Sequence, residues 1–229
     1  HEDAAADAAI LSRATGRPVR VQWTREDELG WDPKGPPQLI GISGAVSADG
    51  RILDWRTELW IPKTTRGLPN IPLLAPEAAG LEHVPGLNTG LISQNGDPPY
   101  SAESIQVIAH WLKDAPLRPA PIRSPGKPAN CFAVESFVDE LAAAAGVDPV
   151  DFRMRGLKDP RAIEVLKRTA SMMKWQSQPY QLASTNAAVA RGRGISFVHY
   201  KHSEAYVGMG MEVAVERASG RITVERVAC

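Results

Sequence analysis

The sequence predicts an α+β protein in which helices and β-hairpins occupy separate stretches of the chain. Three observations support this class: apolar residues recur at helical spacing over residues 129 to 175, they alternate with polar residues before and after that block, and short turn signals join the alternating runs. With 229 residues, 43% of them hydrophobic, the chain is long enough to bury a core.

The N-terminal stretch predicts a helix, a short strand and a second helix. Residues 3 to 15 are rich in alanine, carry one apolar stripe and are followed by Gly16, a residue that commonly ends helices. Residues 19 to 23 alternate between apolar and polar side chains, which is typical of a strand. Thr24 and Asp27 have the spacing of a helix-capping pair, so another helical turn is expected to begin there.

The next segment predicts a β-hairpin and then a long excursion without regular structure. Residues 42 to 61 alternate on either side of Asp49 and Gly50, a pair that favours a tight two-residue turn. Residues 62 to 128 hold most of the chain's 19 prolines and few periodic stretches. We therefore expect an irregular Pro-rich excursion there.

A helical block over residues 129 to 175 and a final hairpin complete the prediction. Asp148 before Pro149 and Asp159 before Pro160 each place a capping carboxylate ahead of a first-turn proline, so two helices are expected to begin there. After Gly194 the apolar period changes to two, and a Ser-Gly turn separates two alternating runs.

Composition and chain ends restrict the function classes. Basic and acidic residues both number 26, and this balance predicts no nucleic-acid partner. The cysteines Cys131 and Cys229 are far apart, which indicates neither a disulfide framework nor a zinc site. The chain begins at His1 without methionine and stops within a predicted strand, so we interpret it as a piece of a longer protein.

Arg123 lies in a Pro/Gly-punctuated loop that runs directly into the helical block. Such a loop presents a cation and backbone N–H groups at a helix entrance, an arrangement that binds anions. A loop arginine that makes only a local ion pair is the structural alternative. Gly126 is expected to adopt a positive φ and to let a bound ligand approach the backbone closely.

Four segments, in order and spacing, resemble the molybdopterin-binding large subunit of the xanthine dehydrogenase and aldehyde oxidase family. The resemblance is greatest to its bacterial branch of nicotinate dehydrogenase and isoquinoline 1-oxidoreductase. The segments are the alanine-rich helix with Gly-Arg-Pro-Val-Arg-Val-Gln-Trp-Thr-Arg-Glu-Asp-Glu (16–28), the arginine loop, the helical run Phe-Ala-Val-Glu-Ser-Phe-Val-Asp-Glu-Leu-Ala (132–142) with the two Asp-Pro helix starts, and Gly-Arg-Gly-Ile (192–195) before Glu-Val-Ala-Val (212–215).

The resemblance implies a domain division and a set of site residues. Residues 1–190 would be part of the first molybdenum-cofactor-binding domain, and residues 191–229 would begin the second. The cofactor-binding residues would be Arg123, Ser124, Gly126 and His1. The family's loop reads Arg-Gly-x-Gly, whereas this one reads Arg-Ser-Pro-Gly. The family's catalytic glutamate is expected beyond Cys229, so the chain would contain no catalytic residue.

The resemblance also implies a reaction and its partners. The whole subunit would hydroxylate an N-heteroaromatic or aldehyde substrate with oxygen derived from water, and this chain alone would be inactive. The cofactor would be molybdopterin with molybdenum, in the cytosine dinucleotide form, and iron–sulfur clusters would lie in a small partner subunit. A cytochrome c electron acceptor and either a cytoplasmic or a membrane-associated, periplasmic location are consistent with this family. The alternative function is a non-catalytic α+β scaffold or interaction module derived from it.

Other residues that could carry chemistry have simpler structural interpretations. Glu135 and Asp139 are one helical turn apart opposite the apolar stripe, and we expect a solvated or ion-paired surface there. His199 and His202 have a metal-like spacing, but no other candidate ligands accompany them, and no metal site is predicted. Cys131 is expected to be a small buried residue.

Overall fold

The computed structural model describes residues 3–62, 74–81, 92–112, 117–178 and 187–229. His1, a predicted cofactor contact, therefore lies outside the described residues. Within them, helices and strands follow in the order α1 (Asp3–Thr15), α2 (Arg25–Trp31), β1 (Leu39–Val46), β2 (Ile52–Pro62), α3 (Leu74–Ala78), β3 (Ala102–Leu112), α4 (Lys127–Ala144), α5 (Pro149–Gly156), α6 (Pro160–Met172), β4 (Val189–His199), β5 (Tyr206–Glu216) and β6 (Ile222–Ala228). This combination confirms the α+β class.

The strands form two three-stranded sheets, in the orders β1-β2-β3 and β4-β5-β6. In the second sheet both pairings are antiparallel, with Ile195 opposite Gly210 and Val215 opposite Ile222. The pairing of β5 with β6 shifts register between Glu212 and Val213, which marks a β-bulge. In each sheet, therefore, strands that follow one another in chain order are neighbours in space.

By internal contacts the chain divides into two compact units that are interleaved in sequence. The first unit contains His1–Leu39, Trp60–Ser93 and Ala109–Gly126, and the second contains Ile40–Leu59, Gln94–Ile108 and Lys127–Cys229. This is a different division from the family-domain boundary predicted after residue 190, which stays a prediction.

In the first unit, a buried ion pair joins the N-terminal helix to the segment that leads into the arginine loop. Asp3 is 1% exposed, and its carboxylate accepts hydrogen bonds from Arg118 at 2.9 and 3.1 Å. Arg118 also donates to the Trp31 carbonyl at 2.7 Å. Lys34 N–H donates to the Arg118 carbonyl at 3.0 Å, and the Lys34 carbonyl accepts from Ala120 N–H at 3.0 Å. Arg118 thus holds the chain a few residues before Arg123.

In the second unit, the core forms where α4, α5 and α6 meet strands β2 and β4. Trp55 is fully buried, and its ring meets the edge of Phe137 with centroids 5.1 Å apart. On β5, a side chain at Gly208 would overlap the Thr169 hydroxyl, so glycine allows α6 to lie close to the sheet. The other fully or nearly buried members of this core include Val138, Ala142, Phe152, Ala162, Leu166 and Phe197.

The helix caps were predicted correctly from sequence. Thr24 and Asp27 form the reciprocal capping box of α2. The Asp148 and Asp159 side chains accept N–H groups in the first turns of α5 and α6, each with proline in the first turn. Gly16 follows α1 with φ of 67°, as a helix-terminating glycine should.

Two element predictions were wrong. Residues 19 to 23 form no strand; instead the Trp23 indole N–H donates to Asp7 of α1 at 3.1 Å. Alternation alone does not supply the neighbouring strand that a β-ladder needs. Within the excursion predicted to be irregular, residues 102–112 form the long strand β3. Proline flanks this strand instead of interrupting it, so the local richness in proline concealed it.

Candidate functional site

The loop from Arg123 to Gly126 contains two residues in the left-handed backbone region. Ser124 has φ of 59° and Gly126 has φ of 72°. A non-glycine residue with positive φ is uncommon and is kept only where surrounding contacts enforce it. The prediction of a positive φ at Gly126 is confirmed, and Ser124 adds a second tight bend that the sequence did not indicate.

Gly126 lies directly against the backbone of Ile92. A Cβ atom at this position would be 2.7 Å from the Ile92 carbonyl carbon and would overlap its oxygen. We call this contact between Gly126 and the Ile92 carbonyl the Gly126 cradle. Only glycine fits there, because both the φ of residue 126 and the available space exclude a side chain. The close approach seen here is to protein backbone. The close approach of a ligand expected at Gly126 stays a prediction.

The same carbonyl is held from a second direction by Gln38, the residue immediately before β1. The Gln38 Nε2 donates to the Ile92 carbonyl oxygen at 3.2 Å. The Gln38 Oε1 is also buried, and it has no hydrogen-bond partner in the part of the chain that the structure describes. Gln38 could not be predicted, since an isolated glutamine before a strand carries no distinguishing pattern.

Arg123 supplies an exposed cation beside this cradle. Its side chain makes no hydrogen bond or ion pair with any other described residue. The structural alternative for this residue, a local ion pair, is therefore not found among the described residues. A guanidinium in this state can bind an anion without first breaking an internal contact.

In the second unit, the first turn of α4 contains a buried lysine. Lys127 is 3% exposed, and its ammonium donates to Gln94 Oε1 at 2.5 Å and lies 5.1 Å from the centre of the Tyr200 ring. Burial lowers the pKa of Lys127. Asn130, one turn later, donates to the Gln94 carbonyl at 2.8 Å. A lysine directly after the loop glycine was the available sequence signal for this cluster.

A second cluster joins the turn after β4 to residues 95–97. Asn95 adopts φ of 60°, donates to the His199 carbonyl at 3.0 Å and accepts the Lys201 N–H at 3.0 Å. His202 Nε2 lies 3.1 Å from Asp97 Oδ1, and this hydrogen bond raises the pKa of the imidazole. Both Lys201 and His202 also have positive φ, so the turn is held in a strained conformation.

Glu135 is ion-paired, which was one of the two predicted alternatives, but it lies in the interior and not on the expected surface. It is 7% exposed, and it accepts hydrogen bonds from Tyr100 at 2.8 Å, from Arg153 Nε at 2.9 Å and from Phe197 N–H at 2.9 Å. Arg153 is fully buried and also binds Asp139 at 2.6 Å. Periodicity could not reveal this, because a saturated ion pair lets charged residues occupy an interior helix face.

Cys131, His199 and His202 were the remaining residues that could carry chemistry. Burial raises the pKa of the Cys131 thiol to about 11, so a thiolate is disfavoured. The His199 and His202 rings are 6.3 Å apart, and the described residues contain no group of three or more His, Cys, Asp or Glu arranged to hold a metal ion. None of the described helices is long and apolar enough to cross a membrane.

Comparison with known proteins identifies the family to which this chain belongs. A model of the molybdopterin cofactor-binding domain matches residues 77–157, which include the arginine loop and α4. The B subunit of nicotinate dehydrogenase from Pseudomonas putida is 40% identical over 99% of this chain and 19% of its own length. The chain belongs to the xanthine dehydrogenase and aldehyde oxidase family. The beta subunit of isoquinoline 1-oxidoreductase from Brevundimonas diminuta is 29% identical, over 97% of this chain and 27% of that protein.

Solved structures share the fold of this chain. Aldehyde oxidoreductase from Desulfovibrio gigas matches with a TM-score of 0.57 at 19% identity, over 94% of this chain and 24% of that one. Quinoline 2-oxidoreductase from Pseudomonas putida matches with a TM-score of 0.52 at 18% identity, over 94% of this chain and 29% of that one. The chain thus spans between 19% and 29% of the length of these four proteins.

The residues at the loop fit the family's cofactor. Molybdopterin carries anionic groups and a heterocycle with N–H donors. Arg123 offers a cation for the former, and Gln38 Oε1 is a buried acceptor for the latter. Gly126 lets the loop lie directly on the Ile92 backbone, since no side chain intervenes.

Proposed function

We propose that this chain forms part of the large subunit of a molybdenum hydroxylase and that its arginine loop contributes to the cofactor site. The observation that carries the proposal is the cradle at Gly126, which holds the loop in a strained conformation. This loop carries the exposed guanidinium of Arg123, which has no partner among the described residues, and it lies in the segment that matches the cofactor-binding domain. A loop that served only to connect two elements would need neither the strain nor the close backbone contact.

Each loop residue has a distinct role in this proposal. The Arg123 guanidinium binds an anionic oxygen of the cofactor through charge-assisted hydrogen bonds. Ser124, with its positive φ, turns the backbone so that the loop N–H groups and its own hydroxyl face the ligand. Gly126 keeps the loop seated on the Ile92 carbonyl. The bound molybdenum cofactor supplies the redox chemistry, and the residues of this chain supply orientation and electrostatics.

The substrate and partners follow from the same proposal. The relatives include proteins named for nicotinate, isoquinoline and aldehyde oxidation, which supports an N-heteroaromatic or aldehyde substrate hydroxylated with water-derived oxygen. We further propose the cytosine dinucleotide form of molybdopterin, a small iron–sulfur subunit that removes electrons and a cytochrome c acceptor.

The experiment that tests the proposal measures cofactor content in the natural protein that carries this chain. We expect molybdenum and acid-released cytidine monophosphate in equimolar amounts with the protein. Arg123→Gln should lower both contents, whereas Arg17→Gln, a change at another exposed arginine of the first unit, should leave them unchanged. Protein without molybdenum or pterin would overturn the proposal and favour the non-catalytic scaffold.

A further inference from the structure

The amide of Gln38 is oriented by its only described partner. Its contact, the Ile92 oxygen, is a carbonyl and can only accept a hydrogen bond. The amide nitrogen must therefore face Ile92, and the opposite orientation would bring two acceptor oxygens together. Consequently the Oε1 atom points away from Ile92, and it is this buried oxygen that has no partner among the described residues.

A buried acceptor without a donor is unfavourable and is rare in folded proteins. The imidazole Nε2 of His199 is also buried without a described partner, but it lines a cavity of about 10 Å³, which is the size of one water molecule. Solvent can therefore satisfy His199. Gln38 differs, because it binds the Ile92 carbonyl that lies against the loop glycine of the proposed cofactor site.

We infer that Gln38 is a further cofactor-binding residue, whose Oε1 accepts a hydrogen bond from an N–H donor of the bound molybdopterin. Its Nε2 has a second role, because it holds the Ile92 carbonyl under Gly126 and so keeps the arginine loop seated. Gln38 and Arg123 then recognise two different features of one ligand, a heterocyclic N–H group and an anionic group. This inference rests on the proposed function and adds a residue to the same site.

The first test compares Gln38→Met with the matched variant Gln22→Met in the full natural protein. Methionine has a similar volume and removes both hydrogen bonds, while Gln22 is an exposed glutamine of the first unit that binds only Arg20 among described residues. After gel filtration, we expect roughly tenfold less molybdenum and pterin per protein in Gln38→Met, as loss of a buried hydrogen bond implies. Gln22→Met should match the unmodified protein.

The outcomes separate this inference from the proposed function. If the unmodified protein holds no cofactor, the proposed function fails and this inference fails with it. If the unmodified protein is loaded and Gln38→Met is loaded equally well, only the role of Gln38 is overturned. Should Gln38→Met not fold, a crystal structure of the unmodified loaded protein decides the question: a ligand nitrogen within hydrogen-bond distance of Oε1 supports the inference, and a water or protein donor there overturns it.

Discussion

Two separate constraints require glycine at position 126: the positive φ and the short distance to Ile92. The effect of each on stability can be measured. Gly16 has a similar φ of 67° but has no atom near the position of a Cβ, so it isolates the backbone constraint from the steric one. Gly16→Ala should cost about 1–2 kcal/mol of stability, because alanine disfavours this φ. Gly126→Ala should cost about 2–5 kcal/mol, since overlap with Ile92 adds to the same backbone cost.

The midpoint of urea unfolding, compared between the two variants, checks this prediction. Gly126→Ala should also lower cofactor content, whereas Gly16→Ala should not. Equal destabilisation by both alanines would mean that Ile92 moves aside easily and that the cradle does not constrain the loop.

At the scale of single residues, the sequence identified the loop but not what holds it. Arg123, Ser124 and Gly126 were found from a proline- and glycine-rich pattern next to a helix and from a family resemblance. Their cofactor roles stay predictions. Gln38 was invisible, because its role depends on Ile92, 54 residues away, and on which of its two amide atoms lacks a partner.

At the scale of elements, the buried Arg153 joins α5 to α4 and, through Glu135, to β4. Glu135→Gln should cost about 3–5 kcal/mol, because it leaves the Arg153 charge buried without its main counter-charge. Asp139→Asn is the matched control on the same helix. Its side chain is 38% exposed, so its loss should cost about 1 kcal/mol or less.

Urea unfolding of the two variants measures this difference. A loss for Glu135→Gln no larger than that for Asp139→Asn would contradict the interpretation of Glu135 as the counter-charge of a buried arginine. The expected order is informative because both changes remove one negative charge from α4.

The turn after β4 should respond to pH through His202 and Asp97. The pKa of His202 is raised above its ordinary value of 6.5, so protonation is favoured in the folded state. Its stabilising effect is fully present below pH 6.5 and is lost as the pH rises through the raised folded value. Stability should therefore fall over this interval.

The comparison of His202→Asn with the unmodified protein checks this pH dependence. The variant should show a smaller loss of unfolding free energy between a pH below 6.5 and mildly alkaline pH. An unchanged pH profile in the variant would assign the dependence to other groups.

Helices were easier to predict than strands, for a physical reason. The caps of α2, α5 and α6 are satisfied by side chains within three residues, so local sequence contains the whole signal. Strands need a partner distant in the chain. Residues 19–23 have a strand pattern but form no strand, while residues 102–112 form β3 in a region whose prolines suggested otherwise.

At the scale of the whole molecule, this chain spans only about a fifth of the nicotinate dehydrogenase polypeptide that it resembles. We propose that the catalytic glutamate lies in another part of the large subunit and therefore expect the isolated chain to show no turnover. The measurement is oxidation of nicotinate, isoquinoline and an aromatic aldehyde with an artificial electron acceptor. Turnover by the isolated chain, free of the remaining polypeptide, would disprove this expectation.

The full burial of Arg153 also gives the molecule an internal spectroscopic reporter. Its Nε proton is enclosed and bonded to Glu135, so it should exchange with solvent far more slowly than those of exposed arginines. In a nitrogen-15 spectrum, that proton should give a persistent, well-resolved resonance. Its disappearance on mild denaturation would time the opening of the α4–α5 interface independently of any bound ligand.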